Sequence, residues 1–199
     1  METSAIEFRE KWYAIERAVL DADSLSFLYD HALSIAHNLA TATGDALVAD
    51  APVTYGDPHL NALLESVRGR VEHVTGFELW PTFSYLRFYK RGNLLKAHRD
   101  RPSCEISMTV NLGMDADEPW PIWIAGPQGI APVTLLPGDG MIYRGCDCYH
   151  WRDPFPGNHL AQVFLHYVDR NGPSAEWKYD KRDQLSSLPP ENQPLDFQP

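Results

Sequence analysis

Hydrophobic positions recur along this chain with two different periods, and the change from one to the other divides it. Over residues 4–20, Phe8, Trp12, Ile15 and Val19 fall at helical spacing and predict an amphipathic helix. Asp23 or Ser24 can cap a second helix, whose apolar stripe is Leu25, Leu28, Ala32, Ile35 and Leu39. A third is predicted over 58–74, with Asp57 as cap, Pro58 at the first position and Gly76 as the stop. Beyond it the period falls to two. In 84–89, Tyr85, Arg87 and Tyr89 share one face and Leu86 and Phe88 the other, the pattern of a strand buried on both sides. Lys90-Arg91-Gly92-Asn93 reads as a turn, after which a second strand is expected to begin at His98. Residues 104–112 alternate again, with Ile106, Met108, Val110 and Leu112 on one face and Ser107, Thr109 and Asn111 on the other. Short strands follow over 120–124, 132–136, 140–144 and 160–168, divided by Gly and Pro turns of which Leu136-Pro-Gly-Asp-Gly140 is the clearest.

Many short strands without interleaved helices predict a mainly β protein with N-terminal helices, its core a jelly-roll barrel with a polar inner face that encloses a ligand. With 199 residues, 44% of them hydrophobic, the chain can bury a full core and is most simply one domain. We divide it into a helical support (1–77), the jelly-roll core (78–172) and a Pro-rich C-terminal extension (173–199). The Thr-, Gly-, Asp- and Pro-bearing connection over 41–58 either covers the mouth of a site or is a surface crossover.

Charge and cysteine usage narrow the function. A formal charge of −10 argues against a phosphate-binding surface and hence against nucleic acid as partner, although 90–101 is locally basic. No apolar run approaches the roughly 20 residues of a membrane span, and Met1-Glu2-Thr3-Ser4 lacks the basic and apolar regions of a signal peptide. Three cysteines, at 104, 146 and 148, fit a reducing compartment, so the expected location is the cytoplasm.

The candidate chemistry lies at His98-Arg99-Asp100 and His150. Two residues apart in an extended strand, His98 and Asp100 share a face and can reach one ion. With His150 they make two imidazoles and one carboxylate, the facial set of non-haem Fe(II) sites. Cys148 could be read as a thiolate ligand, but soft sulfur favours zinc, and the strand alternation makes it a packed neighbour instead. His31, His37, His59 and His73 are expected to be surface or packing residues, and His166 to be structural.

From residue 79 to 169 the chain resembles the 2-oxoglutarate- and Fe(II)-dependent oxygenases of the prolyl-4-hydroxylase-like group. The resemblance is carried by Tyr89-x-x-Gly92, the pair His98 and Asp100, the turn Pro137-Gly138-Asp139-Gly140 into a strand, and the distal His150. It implies a double-stranded β-helix, cupin-like, with Fe(II) on His98, Asp100 and His150 and no catalytic residue beyond these ligands. It further implies 2-oxoglutarate chelating the metal, O₂ as co-reactant, ascorbate as an accessory reductant, and release of succinate and CO₂. The chain departs from the family about nine or ten residues after the distal His. There a cation usually binds the C5 carboxylate of 2-oxoglutarate, and here stand His159 and Leu160. Arg87 is the preferred replacement because a planar guanidinium grips a carboxylate bidentately. Arg152 is second, and His159 is a weaker, pH-sensitive alternative. Tyr85, Tyr89, Asn111 and Gln162 are the expected hydrogen-bond partners. Hydroxylation is the default outcome, since an intact Asp100 argues against halogenation. The substrate is expected to be a small molecule or amino-acid-like compound. The alternatives are a peptidyl or prolyl hydroxylase acting on a protein and a non-catalytic metal-binding cupin. No oligomeric state is assigned.

Overall fold

The change of period near residue 79 marks the first long strand of a two-sheet barrel. The computed structural model describes residues 2–38 and 44–187. Its helices are α1 (Glu2–Lys11), α2 (Ala22–Asn38) and α3 (Pro58–Thr75). Its strands are β1 (Tyr13–Glu16), β2 (Val53–Tyr55), β3 (Leu79–Lys90), β4 (Leu95–His98), β5 (Ile106–Asp115), β6 (Ile122–Gly126), β7 (Gly129–Val133), β8 (Gly140–Arg144), β9 (Tyr149–Arg152) and β10 (His159–Asp169). Six strands form one sheet in the order β1-β8-β5-β10-β3-β2, and four form the other in the order β4-β9-β6-β7. From β3 to β10 the chain passes between the sheets, and the strands pair antiparallel. This is the expected double-stranded β-helix.

The two faces of the large sheet do different work. Leu86, Met108, Val110, Val163 and Leu165 point outward and pack with Phe8, Leu28, Leu64 and Val71 of the helices. Fully burying such a side chain stabilises by about 1.5–3 kcal/mol, so this layer carries much of the fold. The alternate residues Tyr85, Arg87, Tyr89, Ser107, Thr109, Asn111, Gln162 and His166 are buried as well, but face the barrel interior. Here the polar face opposite the apolar one encloses a site.

Several elements differ from the sequence pattern. The helix expected over 4–20 stops at Lys11, where Trp12 takes a left-handed φ of 68°, and residues 13–16 join the edge of the large sheet against β8. Phe8, Trp12 and Ile15 suit either element, and only the distant strand edge decides between them. Asp21, rather than Asp23 or Ser24, caps the second helix by accepting from the Ser24 N–H at 2.8 Å. The third helix has its expected cap: Asp57 Oδ1 accepts from the N–H groups of His59 and Leu60, and Gly76 closes it at φ 77°. His98 ends a strand instead of beginning one, and the strand expected over 132–136 runs earlier, at Gly129–Val133. Leu39, residues 40–43 of the connection, and Leu188, Leu195, Phe197, Pro189, Pro190, Pro194 and Pro199 of the tail lie outside the described residues.

The part of the C-terminal extension that is described straps across the barrel. Asp180 is fully buried; its two oxygens accept from Arg101 at 2.8 Å each, and Tyr55 donates to it at 2.5 Å. To reach there the backbone holds Tyr179, Asp180 and Lys181 at φ 52°, 57° and 61°, a left-handed run that costs roughly 1–2 kcal/mol per residue. The buried fork to Arg101 offsets that cost. Asp180→Ala leaves Arg101 enclosed without its carboxylate, and should destabilise the protein by about 3–5 kcal/mol in urea denaturation. A loss below about 1 kcal/mol would mean that the strap does not anchor the fold.

Candidate metal centre

Pairing of β4 with β9 sets His98 directly opposite His150, with ring centroids 4.2 Å apart. Each ring is turned by the backbone two residues before it. His98 Nδ1 donates to the Lys96 carbonyl at 2.7 Å, and His150 Nδ1 donates to the Cys148 carbonyl at 3.0 Å. That tautomer directs both Nε2 lone pairs inward, as in metal-ligating histidines whose other nitrogen is held. Asp100 lies just beyond β4, and its Oδ1 is 3.6 Å from each Nε2. The separation is too long for a hydrogen bond. Three donor atoms within 4.8 Å of one another therefore face one gap.

The electrostatics agree with a metal-ligating role. Burial, with His150 alongside, pulls the His98 imidazole down to about 3, so it is a neutral ligand. Burial raises the Asp100 carboxyl, with His150 and Ser107 opposing that shift. No arginine or lysine forms an ion pair with Asp100 among the described residues. A buried carboxylate facing two imidazoles is complementary to a divalent transition-metal ion, and the donor set fits Fe(II).

A further layer fixes the carboxylate. Ser107 Oγ donates to Asp100 Oδ2 at 3.2 Å and accepts from His166 Nδ1 at 2.8 Å, which leaves Oδ1 for the shared gap. The Asp100 N–H donates to the Gly145 carbonyl at 2.9 Å. Gly145 must lack a side chain, because a Cβ there would collide with Asp100 Oδ2 and the Cys104 carbonyl. Asp100, Cys104 and His166 also lie close together, but burial raises the Cys104 thiol well above its usual range, and the trio braces the ligand. His166 was expected to be structural; it lines the pocket and supports Asp100. Its signal was present in the alternation that puts it on the face of Gln162 and Phe164.

The expected cosubstrate residues separate into three groups. His159 is on the outer face, where its Nε2 meets the Tyr29 hydroxyl at 2.7 Å and its ring stacks on Phe88. That position removes it as an anchor, because the side chain points away from the barrel interior. Arg87 and Tyr85 line the pocket with the three ligands, but Arg87 already pairs with Asp45, and the Tyr85 hydroxyl donates to the same carboxylate at 2.7 Å. Arg152 lies on the inner face two residues past His150. Its guanidinium donates to the Trp120 carbonyl at 2.6 Å and to Gln162 Oε1 at 3.3 Å, and sits 4.5 Å from the Trp120 ring. Tyr89 is within 6.0 Å of it, measured to the ring centre. Asn111 donates to the Leu135 carbonyl at 2.8 Å. Cys148 packs among Ile122, Ile124 and Met141, away from the donors. Of the two readings left open for the connection, cover of a site mouth or surface crossover, its described residues fit the first: Leu47 lines the pocket and Asp45 reaches Arg87.

No family model and no curated protein matches this chain. Solved structures do. A Pseudomonas putida prolyl-4-hydroxylase aligns over 85% of this chain and 98% of its own, with a TM-score of 0.65 and 14% identity. The chain has the fold of the 2-oxoglutarate/Fe(II)-dependent oxygenases. The α-ketoglutarate-dependent epimerase SnoN of nogalamycin biosynthesis covers 99% of this chain and 92% of its own at TM-score 0.71 and 14% identity. HygX from Streptomyces hygroscopicus, solved with nickel and 2-oxoglutarate, covers 86% and 88% at TM-score 0.69 and 10% identity. Within that fold, His98 at the end of β4 and Asp100 just beyond it lie opposite His150 on β9, all three buried. Gly145→Ala has to displace Asp100 or the Cys104 carbonyl, and should weaken Fe(II) binding by about 10- to 100-fold in equilibrium dialysis. Unchanged affinity would show that the contact is easily relaxed.

Proposed function

We propose that this chain is an Fe(II)- and 2-oxoglutarate-dependent dioxygenase that hydroxylates a small, amino-acid-like molecule. The observation that carries the reading is the enclosed triad His98, Asp100 and His150 with the enclosed guanidinium of Arg152 on the same strand face as His150. Bound at this site, iron and 2-oxoglutarate supply the oxidation, taking up O₂ and releasing succinate and CO₂.

The chain's own residues position and enclose that chemistry. His98, Asp100 and His150 would hold the metal, a three-residue donor set that leaves room for further ligands. Arg152 is the better anchor for the distal carboxylate of 2-oxoglutarate, displacing Arg87 from that role. It is buried and makes no ion pair with a carboxylate among the described residues, and burial lowers it only to about 10, so it stays charged at neutral pH. An enclosed cation without a counter-ion is costly, and a bound carboxylate removes that cost. Residues two apart on a strand are separated by roughly 7 Å, the scale of a five-carbon diacid. Tyr89 and Gln162 stand beside Arg152 to share the carboxylate.

Leu47, Leu95 and Phe164 give the pocket an apolar wall, and the cavity among these groups is only about 20 Å³. Little more than one water fits such a space. The segment bearing Asp45 and Leu47 therefore has to lift for cosubstrate and substrate to reach the metal, and its return excludes water. A site this enclosed favours a small molecule over a protein side chain. Three free cysteines, two of them buried, support a cytoplasmic location, and no helix among the described residues is long and apolar enough to cross a membrane.

Anaerobic titration of the metal-free protein with Fe(II) and then 2-oxoglutarate should produce a weak visible charge-transfer band, and air should then release succinate slowly. Iron binding without the band would turn the reading to a non-catalytic metal-binding cupin. Asp100→Ala and His150→Ala should abolish succinate release while the proteins stay folded by circular dichroism. Arg152→Gln should raise the 2-oxoglutarate concentration required by about 10- to 100-fold, consistent with loss of a charge-assisted bond of about 1.5–3 kcal/mol. An unchanged requirement would return the anchor to Arg87.

A further inference from the structure

With Arg152 assigned to the cosubstrate, the pocket retains a second pair of buried charges. Arg87 on β3 and Asp45 on the covering loop are both enclosed, and Arg87 lines the same cavity as His98, Asp100 and His150. The pair is imperfect as an internal salt bridge. Asp45 meets Arg87 through Oδ2 alone, because Oδ1 accepts from the N–H groups of Leu47 and Val48 at 3.0 Å each. On the other side, Arg87 Nη1 donates to the Tyr89 hydroxyl at 3.3 Å, and its buried Nε has no hydrogen-bond partner among the described residues. A guanidinium has five N–H donors in a fork shaped for a two-point carboxylate contact, and the loop supplies a one-point contact.

We propose that this pair recognises the substrate, and that the substrate is a free α-amino acid whose carboxylate binds Arg87 and whose ammonium binds Asp45. The inference rests on the oxygenase reading above. Three observations support it. First, the ion pair fastens the loop to the barrel wall beside the metal, so separating it and opening the site are one event. Second, Asp45 keeps the Leu47 and Val48 N–H groups of its own loop when it parts from Arg87, so it remains an oriented carboxylate partner for an ammonium group. Third, the charges balance only for a zwitterion. A simple carboxylate would neutralise Arg87 and leave Asp45 enclosed and unpaired; a simple amine would do the reverse; a zwitterion inserted between them leaves every charge compensated. Tyr85 and Phe164 lie 5.5 and 5.8 Å from the guanidinium, measured to the ring centres, and shield it from water.

The test uses the full chain loaded anaerobically with Fe(II) and 2-oxoglutarate, with the visible band as proof of loading. Each proteinogenic L-amino acid is titrated in turn by isothermal calorimetry. At least one should bind, and its N-acetyl and carboxamide derivatives, which each remove one charge, should bind more weakly by roughly tenfold or more. Arg87→Gln should erase the preference for carboxylate over carboxamide, and Asp45→Asn the preference for free over acetylated amine. If a variant does not fold, the derivative series on the unaltered protein still decides. A loaded protein that binds none of the amino acids, or binds the derivatives equally well, overturns the proposal and leaves the oxygenase reading standing. Absence of the band overturns that reading, and this proposal with it.

Discussion

Asp100 is a carboxylate taken out of water before any cation is there to meet it, and the rest of the site follows from that. Ser107 holds one of its oxygens, and the other faces two imidazoles that backbone carbonyls keep in the tautomer with inward lone pairs. Burial drives the carboxyl toward its protonated form, against the opposing pull of His150 and Ser107. A divalent ion resolves the conflict by binding all three donors at once. Metal binding would therefore be coupled to the folding of this corner of the barrel.

The barrel supports this arrangement by giving its large sheet two buried faces of opposite character. Outward residues of β3, β5 and β10 join the helices in an apolar layer that fixes strand register. A slip by one residue would exchange that layer for Arg87, Thr109 and Gln162, so the core that stabilises the sheet also fixes the orientation of every interior polar group. Two guanidinium groups are enclosed on that interior with different surroundings. Arg152 is surrounded by a carbonyl, an amide and an indole face, whereas Arg87 faces a carboxylate on a loop. Their difference is one of counter-charge.

Much of this was legible in the sequence because alternation reports directly on faces. It placed Arg87 with Tyr85 and Tyr89, and Ser107 with Thr109 and Asn111, and the triad spacing required only an extended chain. The features it missed depend on contacts between distant residues. Nothing local distinguishes residues 13–16 from a continuing helix, since their strand partner is β8, over a hundred residues away. Likewise, Arg87 looked free to bind a cosubstrate because Asp45 lies in an irregular connection whose side chains carry no periodicity. His159 occupies the family's anchor position in sequence, yet its unbroken register against β3 puts it on the face opposite Gln162, and the ring turns outward to Tyr29.

The covering loop shows why such a site can be both closed and usable. Its contacts with the barrel are of two kinds: apolar burial of Leu47, Val48 and Ala51 near Tyr89 and Leu95, and polar bonds from Asp45 and Asp50 to Arg87, Tyr85 and Asn93. Lifting a purely apolar lid would expose hydrocarbon with no compensation from an incoming polar ligand. A lid fastened by an ion pair can instead exchange one set of charge contacts for another, provided that the ligand carries both signs. The Arg87–Asp45 pair thus lowers the cost of opening for a zwitterion and raises it for singly charged solutes, which makes closure itself a source of specificity.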